Sequence, residues 1–203
     1  MQEVPGSVLT AWSSFYVITG SAAAALTGLM FVVTTLVADD RRRAKVEGIA
    51  VFSTPTVIHF GAALLVSAIL SAPWHSLAPV AVLVGLTGLY GTVAALRVMH
   101  RTSRLTVYRP LFEDWLWYTV LPLAAYLAIA GAATRLAVAP TVPLYAIAAG
   151  TILLIFIGIH NAWDVVTYLA VEGVPEQSGE GTPPPRSERD AEAAPSDKAR
   201  AAE

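Results

Sequence analysis

Five long apolar blocks, separated by short polar segments, constrain the fold of this chain more than any other feature of its sequence. The blocks cover residues 13–38, 51–72, 77–99, 114–133 and 144–170. Each is close to or above the roughly 20 residues that a helix needs to cross about 30 Å of hydrocarbon at 1.5 Å per residue. Only 14% of the side chains are charged, against about 25% in a soluble domain. The blocks are therefore predicted to span a lipid bilayer.

Backbone hydrogen bonding decides what these spans are made of. Within lipid every amide must be paired inside its own segment, so the spans are predicted to be α-helices. From residue 172 onward, Gly, Pro, Ser, Glu, Asp and Ala dominate and no aromatic residue remains. Such a segment cannot bury enough apolar area to offset its ordering entropy. We predict an all-α, polytopic membrane helix bundle over residues 1–171 and a disordered cytoplasmic tail over residues 172–203.

The basic residues predict the orientation of the bundle. All Lys and Arg residues except Arg135 lie within or next to the segments that follow the first, third and fifth spans. The positive-inside rule makes that face cytoplasmic and places the amino terminus outside. The excess of Arg over Lys, together with abundant Ala and Pro, is typical of a high-GC bacterial genome. The predicted location is the cytoplasmic (inner) membrane of a bacterium.

Two spans carry small residues at helical spacing, and the fourth span begins with interfacial residues. The small residues are Gly20, Ala24 and Gly28 in the first span and Gly85, Gly88 and Thr92 in the third. Such faces let membrane helices approach closely. At the start of the fourth span, Trp117 and Tyr118 are predicted to anchor the helix at the membrane surface. Pro122 lies inside this span and frees a backbone carbonyl that neighbouring groups must satisfy.

Two histidines lie inside the spans at positions that anchoring at the membrane surface does not explain. His59 lies eight residues into the second span, about 12 Å from its cytoplasmic start. His160 lies sixteen residues into the fifth span, which enters from outside, and so about 24 Å along it. Both depths fall in the cytoplasmic half of a layer about 30 Å thick. The two imidazoles are therefore predicted to share one level of the bundle.

The neighbours of these histidines extend the predicted cluster. Asp164 follows His160 by four residues and so lies on the same helix face. A carboxylate there could accept the second N–H of the imidazole and fix its tautomer. We include three further candidates at this level, which are Asn161 in the fifth span, Thr56 in the second span and Tyr90 in the third.

Ionisable residues inside a membrane mark ion pathways, proton relays or cofactors, or else they fix helix packing. The favoured hypothesis is a small transport or channel component that moves protons, a cation or a small solute through the cluster. Histidine suits this chemistry because its ordinary pKa of about 6.5 lies near physiological pH. Five short spans make a small bundle, so a pore could require a homo-oligomer.

Two alternatives stay open. A membrane haem protein could use His59 and His160 as axial ligands of a haem b, and a related variant is a divalent metal held by these histidines and Asp164. A non-catalytic scaffold or regulatory subunit could instead recruit a protein partner through the tail. The sequence requires no cofactor, predicts no nucleic-acid partner, and contains no Cys. It does not favour an enzyme, because it has no nucleophile–base constellation, metalloprotease motif or paired carboxylate at depth.

Overall fold

A computed structural model describes residues 5–41, 49–102 and 115–172 of the chain. These residues are 93% helical and contain no β-strand, which confirms the predicted all-α helix bundle. The helices are α1 (Pro5–Arg41), α2 (Ile49–Ser71), α3 (Leu77–Thr102), α4 (Leu121–Leu136) and α5 (Thr141–Glu172), and a π-helical segment, Leu116–Val120, leads into α4.

Contacts divide the chain into a first unit, Met1–Thr167, and a second unit, Tyr168–Glu203. The first unit contains the helix bundle. Of the second unit the structure describes only residues 168–172, the end of α5. The predicted tail beyond residue 172 and most of the predicted basic loops, at residues 42–48 and 103–114, lie outside the described residues.

The outer surface of the bundle matches a lipid environment. Four helices are long and apolar enough to cross a membrane, and in α2 the described apolar stretch is the shorter Thr56–Ser71. Large apolar side chains such as Ile18, Phe31 and Leu86 are more than half exposed. A water-soluble domain rarely exposes contiguous apolar surface of this extent. The bundle is therefore compatible with a multi-pass membrane protein, and α2 as a fifth span stays a prediction.

Helices α1 and α2 pack closely because small side chains lie between them. A Cβ added at Gly20 would lie 2.9 Å from the Cβ of Ser67. Next to this contact, the Thr19 and Ser67 hydroxyls form a buried hydrogen bond of 3.1 Å. Of the small residues predicted to form this face, Gly28 has open space around it. The close contact with α2 at Gly20 therefore does not extend to Gly28.

Helices α3 and α4 pack even more tightly, along the small-residue face predicted for the third span. A Cβ added at Gly88 would lie 2.7 Å from the backbone nitrogen of Ala130. One turn further along, a Cβ at Gly91 would overlap the ring of Tyr126. Gly88 and Gly91 therefore allow a helix approach that any larger side chain would prevent.

Helix α5 lies at the centre of the bundle. Within Thr141–Asp164, 56% of the most apolar 18-residue segment is buried. The corresponding fraction in α1 is 22%. Gly150 faces Ile129 of α4, and Gly158 faces the ring of Phe60 in α2. Because α5 touches several helices, its polar residues have several candidate partners.

The aromatic residues at one end of the bundle show how the helices run relative to one another. Trp12 near the start of α1 packs on Tyr145 near the start of α5, with ring centroids 4.8 Å apart. The same end of α1 lines a groove with Leu70 at the end of α2. Helix α2 is therefore antiparallel to both α1 and α5. We call this the outer end, in keeping with the predicted orientation, and the opposite end the inner end.

Candidate functional site

The inner end of the fourth predicted span owes its shape to Pro122. Proline has no N–H and its ring crowds the carbonyl of the residue four positions earlier, here Tyr118. The chain responds with a π-helical turn over Leu116–Val120, in which the N–H of Leu121 bonds to the carbonyl of Leu116. A π-turn adds one residue to the helix, which rotates preceding residues by about 100° relative to a regular α-helix. This rotation sets the direction of Trp117 and Tyr118.

Both of these side chains contact α5 at the predicted polar cluster. The Nδ1 atom of His160 lies 3.3 Å from Oδ2 of Asp164, within ion-pair distance but outside hydrogen-bond geometry. The hydroxyl of Tyr118 donates a hydrogen bond of 3.3 Å to the same Oδ2 atom. The His160 and Asp164 side chains are 26% and 42% exposed. Two helices thus converge on one carboxylate oxygen of a partly exposed side chain.

Trp117 holds the imidazole of His160 in place. The two rings are stacked, with centroids 3.9 Å apart and planes only 7° from parallel. The stack buries one face of the imidazole and fixes its plane, and it would strengthen if the ring became a cation. His160, Asp164, Trp117 and Tyr118 form one cluster, which we call the α5 cluster.

His59 has a different partner, Tyr126 of α4. The Nδ1 atom of His59 and the hydroxyl of Tyr126 are 2.9 Å apart in a buried hydrogen bond. His59 is 5% exposed and Tyr126 is 1% exposed. The Tyr126 ring lies directly over Gly91, so the small-residue face of α3 fixes the position of this hydrogen bond. We call these two residues the α2 pair.

The two histidines occupy about the same level, as their estimated depths predict. The ring of Phe60 lies against Gly158, which aligns α2 with α5. His59 precedes Phe60 by one residue and His160 follows Gly158 by two, and the helices are antiparallel. Their Cα atoms therefore differ by no more than about 3 Å along the bundle at 1.5 Å per residue. The two imidazoles nevertheless contact different partners.

Asn161 and Thr56 are the other predicted residues that lie inside the bundle. Both are 0% exposed. Neither the Oδ1 nor the Nδ2 atom of Asn161 has a hydrogen-bond partner within the described residues. Leaving a buried amide unpaired costs about 1–3 kcal/mol. Asn161 is next to His160 in the chain and three residues from Gly158, so this unpaired amide lies beside the α5 cluster.

Tyr90, the last of the predicted site residues, lies on the outer surface of α3. Its side chain is 64% exposed, whereas Gly88 and Gly91 of the same helix face α4. The reason is rotation, because two residues correspond to about 200° around a helix. Tyr90 is therefore not part of either group of contacts described above.

A metal ion or haem does not fit the arrangement of these side chains. Within the described ranges, no group of three His, Cys, Asp or Glu side chains is placed to bind a metal ion. The site considered from sequence, with two histidines and one carboxylate, is thus not formed. A haem between His59 and His160 would need a slot between α2 and α5. At that level Phe60 instead lies against Gly158.

Two surface grooves lie at the outer end, away from the predicted site. One, of about 410 Å³, is bounded by Leu9 and Trp74 among other residues. The other, of about 540 Å³, is bounded by Ala128 and Arg135 among others. None of His59, His160 and Asp164 lines either groove.

Sequence reasoning missed Tyr126 and assigned Trp117 and Tyr118 only to the membrane surface. For Tyr126 a signal existed, because a small-residue face on one helix accepts a large ring from its neighbour. For Trp117 and Tyr118 the signal was Pro122, whose effect on the preceding turn redirects both side chains.

No protein-family model, curated protein or solved structure matches this chain.

Proposed function

We propose that this protein is a small transport component of a bacterial cytoplasmic membrane that takes up and releases protons at the α5 cluster. One observation carries the proposal. Oδ2 of Asp164 accepts a hydrogen bond from the Tyr118 hydroxyl and lies 3.3 Å from Nδ1 of His160. The Asp164 side chain is 42% exposed. A carboxylate and an imidazole that contact each other in a partly exposed position form a place where a proton can be exchanged.

The neighbours of Asp164 favour a proton over a metal ion or a larger solute. A metal ion would need the lone pairs of several oxygen or nitrogen atoms aimed at one point. Here the hydroxyl of Tyr118 instead donates a hydrogen bond to the Asp164 carboxylate. His160 lies at 3.3 Å from the same oxygen, which leaves no space between them for a solute. A proton needs no such space.

The predicted orientation makes the inner end cytoplasmic, and the α5 cluster lies at that end. Arg97 is an exposed residue near the inner end of α3, whereas Arg135 lies at the outer end of α4. The excess of basic residues in the inner segments supports the same orientation. Protons are therefore proposed to reach Asp164 and His160 from the cytoplasm.

The buried face of α2 favours a carrier with access from one side over an open pore. Along this face the polar residues Ser67 and His59 are separated by eight residues, or about 12 Å. Ala63 and Val66 lie between them, and both are 0% exposed. Hydrogen bonds reach only about 3 Å, so a proton cannot pass directly along this face. We propose that a change of helix packing gives protons access to the outer side.

Proton flux into liposomes that contain the purified protein tests the proposal. A potassium diffusion potential drives protons inward, and an internal pH-sensitive dye reports them. We expect Asp164→Asn and His160→Gln to lower the flux by about 100-fold, as for the loss of a positioned proton-transfer group.

Thr167→Ala is the matched control for these variants. It lies on the same helix, and its hydroxyl donates to the backbone carbonyls of Trp163 and Asp164. Its flux is expected to equal that of the unmodified protein. Equal flux in the Asp164→Asn variant, or no protein-dependent flux at all, would refute the proposal.

A second candidate function is a non-catalytic scaffold or regulatory subunit. The α2 pair favours this function. Its hydrogen bond is buried and its Tyr126 ring packs over Gly91, so the pair is well suited to fixing helix packing. In this case a protein partner would bind at the tail predicted from residue 172 onward. Affinity purification with and without the tail distinguishes the two functions. A partner that is recovered in stoichiometric amount and lost on tail deletion, from a protein without flux, supports the scaffold.

A further inference from the structure

Asn161 is a buried polar residue that neither the α5 cluster nor the α2 pair uses. Its side chain is 0% exposed, and both its polar atoms lack a hydrogen-bond partner among the described residues. An amide in this position has two donor hydrogens and an acceptor oxygen. Buried polar groups are almost always satisfied by protein or by a bound molecule. The residue therefore indicates a ligand that is small enough to enter a packed helix interface.

The position of Asn161 indicates what this ligand connects. Asn161 follows Gly158 by three residues, and His59 precedes the Phe60 ring that lies on Gly158. Along the bundle, Asn161 and His59 therefore differ by about 3 Å. His160 is the neighbour of Asn161 in the chain. Asn161 thus lies at about the same level along the bundle as the partly exposed α5 cluster and the buried α2 pair.

We infer that Asn161 binds a water molecule that passes protons between the α5 cluster and the α2 pair. This inference rests on the proposed function and gives it a path inward from Asp164. Buried water typically makes about three hydrogen bonds to otherwise unsatisfied groups, and the amide of Asn161 supplies both a donor and an acceptor. As the water accepts a proton from the group on one side, it releases another to the group on the opposite side. One O–H bond of the water forms as another breaks, the proton donor loses its O–H or N–H bond, and the acceptor gains one.

Asn161→Leu tests the inference because leucine has a similar size and cannot hold water. Two quantities are measured on the full-length protein, the proton flux in liposomes and the midpoint of thermal unfolding in detergent. We expect the flux to fall by about 100-fold, as for other positioned proton-transfer groups. The unfolding midpoint is expected to stay the same or rise, because an unpaired amide is replaced by an apolar group.

Asn161→Ala provides the comparison, because alanine leaves room for water at the same place. Its flux is expected to lie between those of the Asn161→Leu variant and the unmodified protein. Unchanged flux in Asn161→Leu would overturn the inference. So would a loss of flux accompanied by a lower unfolding midpoint in both variants, since that result indicates a packing role.

The Asp164→Asn variant separates this result from the proposed function. If Asp164→Asn abolishes flux and Asn161→Leu does not, only the role of Asn161 is refuted. If Asp164→Asn and the unmodified protein carry equal flux, the proposed function and the inference are both refuted.

Discussion

Replacing Gly91 by alanine is expected to disrupt the packing of α3 against α4 and, with it, the hydrogen bond of the α2 pair. A Cβ at this position would overlap the ring of Tyr126, whose hydroxyl is 2.9 Å from Nδ1 of His59. The ring cannot move toward solvent, because Tyr126 is 1% exposed. Either α3 and α4 must separate or the ring must turn away from His59.

The magnitude follows from three contributions. Inserting a methyl group into a packed core costs typically about 1–3 kcal/mol, and the direct overlap with a ring places Gly91 at the upper end. Losing an interhelical hydrogen bond in a membrane protein costs about 0.6 kcal/mol on average. Alanine gains about 1 kcal/mol over glycine in a helix interior. The losses exceed the gain by about 2.6 kcal/mol.

Reversible unfolding in mixed detergent micelles measures this free energy. Gly131→Ala in α4 is the matched control, since a Cβ there would have nothing within 4 Å. This control is expected to be as stable as the unmodified protein or slightly more stable. If Gly91→Ala proved as stable as Gly131→Ala, the Tyr126 ring could not lie over Gly91, and the α2 pair would lose its structural basis.

Three further experiments test contacts of the bundle by the same measurement. Gly158→Ala should destabilise it by about 1–3 kcal/mol, because the new Cβ would overlap the Phe60 ring, whereas Gly61→Ala has open space; equal stabilities would contradict the alignment of α2 with α5. Tyr126→Phe removes the hydroxyl bonded to His59 and should cost about 0.6 kcal/mol, less than Gly91→Ala, so a cost as large as that of Gly91→Ala would point to a different role for the hydroxyl. A double-mutant cycle of Thr19→Val and Ser67→Ala should give a coupling of about 0.6 kcal/mol from their hydrogen bond of 3.1 Å, and zero coupling would refute that contact.

Much of the bundle follows from the sequence alone, because lipid restricts the backbone to helices. The apolar blocks predict where helices form, and the spacing of Asp164 from His160 predicts their contact on one face. The shared level of the two histidines could be estimated from helix rise. These inferences need only distances along a helix.

The partners of each histidine could not be predicted in the same way, since they depend on how helices rotate against each other. Tyr90 was expected in the cluster from its depth, yet its side chain is 64% exposed. The glycines of α3 face α4 and turn Tyr90 outward. The π-helical turn before Pro122 likewise moves Trp117 and Tyr118 onto α5. Depth is a property of one helix, whereas rotation requires its neighbours.

The proposed function requires the α5 cluster to be open to the cytoplasm and closed to the outside. Single cysteines can report this directly, because the chain contains none. Asp164→Cys occupies the cluster, Ala63→Cys the buried face of α2, and Val138→Cys an outer-end position that is 86% exposed.

A membrane-impermeant maleimide is applied to spheroplasts and, separately, to inverted membrane vesicles. Asp164→Cys is predicted to react only in inverted vesicles, Val138→Cys only in spheroplasts, and Ala63→Cys in neither. Reaction of Asp164→Cys from the spheroplast side, or its failure to react from either side, would contradict the account.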